Sequence, residues 1–155
     1  MNQNVKALLD MIAWSEIGHA MLAQSDNGFN VLVGSRPGKM KLFHDYADHP
    51  RQLIKINDKL SSTAAGRYQI LKRTFDHYKR VLGLSDFSPA SQDAIAVQLI
   101  KERRALQDIA EGRVIDAIVK VRNIWASLPG AGYGQHEHRI EPLIIAYRNA
   151  GGFVA

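Results

Sequence analysis

Cysteine is missing from all 155 residues. Its absence excludes a disulfide framework and any thiolate metal site. The fold is therefore indifferent to redox compartment, and a chain made in a reducing cytosol can work outside it. Long apolar runs are missing too: none approaches the ~18 residues of a membrane span. Lys6 and Asp10 interrupt the apolar residues at the start, so no signal peptide is expected. There is no G-x-S-x-G elbow, which leaves a Ser-His-Asp hydrolase poorly supported. No glycine-rich phosphate loop follows a strand. Internal repeats, low-complexity tracts and linker-like stretches are also absent.

What is present fits one ordinary globular domain, residues 1–155, with 46% hydrophobic and 23% charged residues. A chain of this length buries roughly two-thirds of the surface its unfolded form exposes, enough for a core without staples. The net charge of +5 favours polyanions such as nucleic acid, anionic lipid or an acidic cell-wall polymer. The charges are dispersed, however, and a solvated basic surface explains them equally well.

Periodicity gives a mostly helical α+β organisation. Val5, Leu8, Leu9, Ile12 and Glu16 lie on one helical face, with Gly18 as the stop. "FNVLVGS" and "MKLFHDY" flank the turn "RPGK" and predict a β-hairpin within residues 25–50. Tyr68, Leu71, Phe75, Tyr78 and Leu82 form the stripe of the next helix, with caps among residues 61–63 and an end at Gly83. Ser88 and Pro89 open another as N-cap and first residue. A short helix over 106–110 ends at Gly112. Val114, Ala117, Ile118, Val121 and Trp125 mark the next, before "PGAGYGQ", a glycine-rich loop. Ile140, Leu143, Ile144 and Tyr147 define the last helix, with Pro142 in its first turn, where a missing N–H is tolerated.

Glu16 is the residue whose place needs a chemical reason. At 100° per residue it lies about 40° from Ile12 and about 20° from Leu9, inside the apolar stripe. Burial there disfavours the charged carboxylate and raises its pKa, as a general acid near neutral pH requires. A glutamate at a fraying helix end, turned outward, is the alternative. "GRYQ" and "PGAGYGQ" combine close-approach glycines with Tyr68, Tyr133, Gln69 and Gln135, a mixture that suits a sugar. Equally, Tyr68 is core and the glycines merely turn the chain. "HDYADH" (44–49) and "HEH" (136–138) have ligand-type residues but match no metal-site spacing, and read better as polar loop histidines.

Read in order, "LLDMIAWSE", "DYADHPRQL", "STAAGRYQIL", "LGLSDFSPASQDAIA", "IKER" and "NIWASLPGAGYGQHEH" resemble the endolysins of lambda-type phages over essentially the whole chain. The resemblance implies a lysozyme-like fold. It also implies lytic transglycosylation of peptidoglycan at the β-1,4 bond between N-acetylmuramic acid and N-acetylglucosamine, leaving a 1,6-anhydromuramoyl end. The family's single catalytic glutamate follows "AWS", which places it at Glu16. Ser62, Gln69, Tyr133 and Gln135 match the family's substrate-contact motifs, as do Asp45 and Tyr46, and two mobile lips correspond to residues 48–61 and 129–142. No metal or cofactor is implied. The expected protein is a monomer that acts on glycan strands, binds no nucleic acid and does not insert stably in a membrane. It would collect in the host cytoplasm and reach the wall through a holin lesion. Departures are the longer "GSRPGKMK", the segment "EIGHAMLAQSDNGFN", Asn30 in place of an aspartate and Ala64 in place of a glycine.

Three other functions stay open at this point. A hydrolytic muramidase needs a second carboxylate, for which Asp26 and Asp45 are the candidates. A wall-binding module needs no catalysis. A basic nucleic-acid binder lacks both a recognition motif and a concentrated basic stripe.

Overall fold

The computed structural model of the chain describes residues 1–134 and 136–155. They form seven helices and one two-stranded antiparallel sheet, an α+β fold that is mostly helical. The chain packs as two compact units: residues 1–16 with 96–155, and residues 17–95.

The first unit is built on helix α1 (Gln3–Glu16). Val5, Leu8, Leu9 and Ile12 are buried as the spacing predicts, and so are Ala7, Met11 and Ala13. The buried face is wider than one stripe because α5 (Leu106–Ala110) and α7 (Ile140–Asn149) both pack on α1. Helix α6 (Val114–Val121) buries Val114, Ala117, Ile118 and Val121. It stops at Val121, four residues before the end of the predicted stripe; Trp125 is buried from a turn instead. Pro142 does sit in the first turn of α7. Gly152 is required by contact: a Cβ there would lie 2.3 Å from the Tyr147 ring, whose hydroxyl donates to the Phe153 carbonyl at 2.9 Å.

The second unit departs more from expectation. Gly18, at φ +91°, separates α1 from a further short helix, α2 (His19–Ala23). The hairpin expected around "RPGK" exists only as isolated bridges, Val31 to Leu42 and Arg36 to Lys39. The true strands are β1 (Ile54–Asn57) and β2 (Leu60–Ser62), which overlap residues 48–61, the segment that the family resemblance gives as a lip. Nor does a helix begin near residue 61. Helix α3 (Lys72–Leu82) starts eleven residues later, so Tyr68 is not helical. Residues 65–70 close on themselves instead: Ala65 and Ile70 exchange both main-chain hydrogen bonds, at 3.1 and 2.8 Å. Thr63 still caps α3, from a distance, by accepting from the Lys72 N–H at 3.1 Å. Gly83 ends it in the left-handed conformation.

Helix α4 (Pro89–Glu102) begins at Pro89 as predicted, and the Ser88 hydroxyl accepts from the Ser91 N–H at 3.3 Å. Its Gln92 side chain is fully buried and serves three chain segments. The Oε1 accepts from the Arg67 N–H at 3.0 Å, and the Nε2 donates to the Phe29 and Phe87 carbonyls at 3.0 and 2.9 Å. Gly66 is the residue that makes room, because a Cβ at that position would lie 2.2 Å from the Gln92 Oε1.

Candidate functional site

Glu16 is the last residue of α1 and is half-buried. Loss of water around the carboxyl pushes its pKa from 4.5 up to about 7. The Ser127 hydroxyl and the Ser127 N–H both hydrogen-bond the carboxylate and pull the other way, but desolvation prevails. Among the described carboxyls whose proton affinity the fold moves, Glu16 alone is pushed up. Asp48, Asp76, Asp86, Asp108 and Glu137 are all held down, each chiefly by hydrogen-bond donors that favour the charged form. A carboxyl that is a mixture of acid and base near pH 7 can give a proton and take one back.

The partner of Glu16 is itself held. Ser127 Oγ lies 2.7 Å from Ser15 Oγ, and the Ser127 carbonyl accepts from the His138 N–H at 2.8 Å. The His138 ring reaches back to the Ser15 carbonyl, with Nε2 at 3.1 Å, and packs on Trp14 with ring centroids 4.8 Å apart. Because a carbonyl can only accept, Nε2 carries the proton. Burial lowers the His138 pKa, which keeps the ring neutral where Glu16 titrates.

Between these anchors runs the glycine-rich loop. Glu137 holds it by accepting from the Gly130 N–H at 2.9 Å and the Gly132 N–H at 3.0 Å, which keeps its own pKa low. Tyr133 donates its hydroxyl to the Asn123 carbonyl, leaving a ring that is 55% exposed. That exposed aromatic face can meet the C–H face of a sugar. Gln135 lies outside the described residues.

The other expected contacts belong to residues 17–95. Ser62 ends β2, accepts from the Ala64 N–H at 3.1 Å and lines an open cavity of about 360 Å³ with Leu53, Thr63, Lys72 and Arg73. Gln69 sits at φ +50° and donates to the Gly66 and Val31 carbonyls at 2.9 and 3.3 Å, so its amide nitrogen serves the loop. Asp45 is exposed and accepts from the Ala47 N–H at 2.8 Å. Tyr46 donates to Asp26 Oδ2 at 2.6 Å. Tyr68 is core: it is 1% exposed and donates to Asp93 at 2.5 Å.

Both histidine clusters have structural work. His49 is buried between Phe75 and Phe87, with Nε2 bonded to the Ile70 carbonyl and Nδ1 accepting from the Arg51 N–H. His138 braces the serines as described, and Glu137 holds the loop. Among the described residues no three His, Asp or Glu side chains are grouped to hold a metal ion. Sequence reasoning missed Ser15, Ser127, Glu137 and His138. Of these, only Glu137 and His138 stood out in the sequence, as part of "HEH".

Comparison with known proteins gives consistent matches. The family model described as Endolysin matches residues 6–154. The endolysin of Escherichia phage lambda is 52% identical over 155 residues, covering 99% of this chain and 95% of the relative. That of Escherichia phage P2 is 48% identical over 159 residues, covering 99% and 96%. Among solved structures, bacteriophage lambda lysozyme complexed with a chitohexasaccharide aligns at a TM-score of 0.92 and 53% identity, covering 100% of this chain and 98% of that one. Lysozyme from bacteriophage lambda aligns at 0.87 and 52%, with the same coverage. The fold is that of lambda lysozyme.

Proposed function

The chain belongs to the endolysin family, and on that premise we propose that it is a peptidoglycan lytic transglycosylase in which Glu16 acts first as acid and then as base. The carrying observation is the Glu16 carboxyl at about 7. Protonated Glu16 gives its proton to the glycosidic oxygen as the bond from C1 of N-acetylmuramic acid breaks. The muramoyl 6-hydroxyl oxygen closes on C1, and the Glu16 carboxylate removes that hydroxyl's proton. The enzyme ends as it began, and no water enters. Proton transfer of this kind contributes typically ~10²–10⁴-fold in rate, with orientation adding more.

A glycan substrate is supported by the chitohexasaccharide bound to the similar lambda lysozyme. Ser62, Tyr133 and Gln135, with Gln69, Asp45 and Tyr46, are the proposed sugar contacts. For Gln69 the contact would be through Oε1, since its nitrogen is engaged. The two aspartates suited to a hydrolytic second carboxylate each carry a local bond, Asp26 from Tyr46 and Asp45 from Ala47. Among the described residues no helix is long and apolar enough to cross a membrane. We propose that the protein works as a monomer, accumulates in the host cytoplasm and depends on a holin lesion to reach the wall. Its basic surface would raise encounter with the carboxylates of stem peptides in a salt-dependent way.

Digestion of purified sacculi followed by mass spectrometry tests the reaction. Anhydromuramoyl ends are expected, and ends carrying added water would return the hydrolase reading. Glu16→Gln is expected to fold and release nothing, because an amide cannot donate and then recover the proton. Near-wild-type lysis by that variant removes the proposal.

A further inference from the structure

Resting on the role proposed for Glu16, we propose that Ser127 is its positioning residue and that Ser127 with Ser15 forms a two-hydroxyl chain whose donor sense reverses as Glu16 passes from acid to base. Three contacts define the chain. Ser127 meets the Glu16 carboxyl with both its hydroxyl and its N–H. Ser15 Oγ stands 2.7 Å behind Ser127 Oγ, a separation at which either oxygen can donate. Ser15 is 6% exposed, so its hydroxyl is largely withdrawn from water.

When Glu16 is ionised, Ser15 donates to Ser127 and Ser127 donates to the carboxylate. When Glu16 carries the proton, it can donate to Ser127 Oγ, and Ser127 turns its hydrogen to Ser15. Hydroxyl rotors make this possible, since each has one donor and two acceptor sites. No heavy atom has to move between the two states. The Ser127 N–H donates to the carboxyl, and it can keep doing so to the unprotonated oxygen when Glu16 carries the proton, fixing which way the carboxyl faces.

The serines are rigid because one residue braces both. The His138 N–H holds the Ser127 carbonyl at 2.8 Å, and its ring Nε2 holds the Ser15 carbonyl at 3.1 Å. Leu128, fully buried, donates its N–H to the Trp125 carbonyl at 3.1 Å and fixes the turn that carries Ser127. The titratable groups on this side are His138, whose ring is bonded to Ser15, and His136, whose ring lies 5.0 Å from that of His138. Among the described residues, burial raises the Glu16 proton affinity and the two Ser127 hydrogen bonds lower it, which makes the hydroxyl chain a local tuner.

The decisive readout is the Glu16 carboxyl titration by carbon NMR, which does not depend on catalysis. It is taken alongside the pH profile of kcat/KM on a soluble glycan strand. Ser127→Ala removes a donor to the charged form, so the titration and the alkaline limb of the profile should both move up by about one pH unit. kcat should fall about tenfold through lost orientation, with KM little changed. Ser127→Thr keeps the hydroxyl and should restore the wild-type titration. Ser15→Ala leaves both Ser127 bonds in place and should give a smaller upward shift; it carries the test if Ser127→Ala does not fold. A wild-type titration in Ser127→Ala overturns the positioning role. An unmoved titration in Ser15→Ala overturns the chain. Glu16→Gln run in parallel separates the two proposals: if that variant still lyses, the catalytic role fails, whatever the serines do to the titration.

Discussion

Replacing Glu16, the proposed catalytic acid, should make this protein more stable. Burial holds the Glu16 proton more tightly in the folded chain than in the unfolded one, about 7 against 4.5. Between those two values the native state binds more protons than the unfolded state. Stability from this residue is therefore greatest below 4.5, falls as the pH rises through the window, and stays low above 7. At about 1.4 kcal/mol per tenfold in proton affinity, the full penalty at pH 8 is about 3 kcal/mol. Glu16 keeps some contact with solvent, which places that figure at the upper end. Glutamine has nearly the same shape, still accepts from Ser127 and never ionises. Glu16→Gln should thus raise the urea midpoint clearly at pH 8, less at pH 6 and hardly at pH 4.5. Equal midpoint changes at all three, or a loss of stability at pH 8, would refute the claim that the fold strains against this charge.

The same carboxyl predicts the activity profile. On a soluble strand, kcat/KM should decline above about pH 7 and stay level below it until the protein unfolds. An acid limb reporting an essential second carboxylate would restore the two-carboxylate mechanism. His49 works in the opposite sense. Burial holds it neutral, with a folded pKa below 6.5, so the stability it confers is lost as the pH falls through and below 6.5. Calorimetry of His49→Gln should show a flatter pH dependence in that window; an unchanged slope would assign the acid sensitivity elsewhere. Gly66→Ala adds a Cβ 2.2 Å from Gln92 at φ +82°, and should cost about 2–4 kcal/mol in denaturant titration. Gly18→Ala, at φ +91° with nothing within 4 Å, should cost about 1 kcal/mol. Equal losses in the two would show that backbone strain alone, and not the Gln92 contact, fixes Gly66.

These contrasts track what a sequence can carry. Helix α1 was legible because four apolar positions repeat at helical spacing, and that phase alone put Glu16 on the buried face. Ser88 with Pro89 and Gly83 were legible because capping is local chemistry. The stretch from Tyr68 to Leu82 misled for the opposite reason. Its spacing is helical throughout, yet the Ala65–Ile70 closure and the Gln92 bond to Arg67 hold residues 65–70 out of a helix. Strands β1 and β2 have four and three residues, mostly exposed, too short for alternation to stand out. Ser127 was illegible in principle. Its bond to Ser15 spans 112 positions, and a serine between alanine and leucine looks like any other.

Gln92 ties Phe29, Arg67 and Phe87 to one uncharged amide. Three loops that are far apart in the chain therefore share a single point of failure. Each one that opens leaves a buried polar atom of the same amide unpaired and loosens the side chain that holds the other two, so they should unlock together as one cooperative segment. In hydrogen exchange, the Arg67 amide becomes a reporter for all three. Because an amide does not titrate, that coupling should persist across the whole pH range in which Glu16 and His49 change charge.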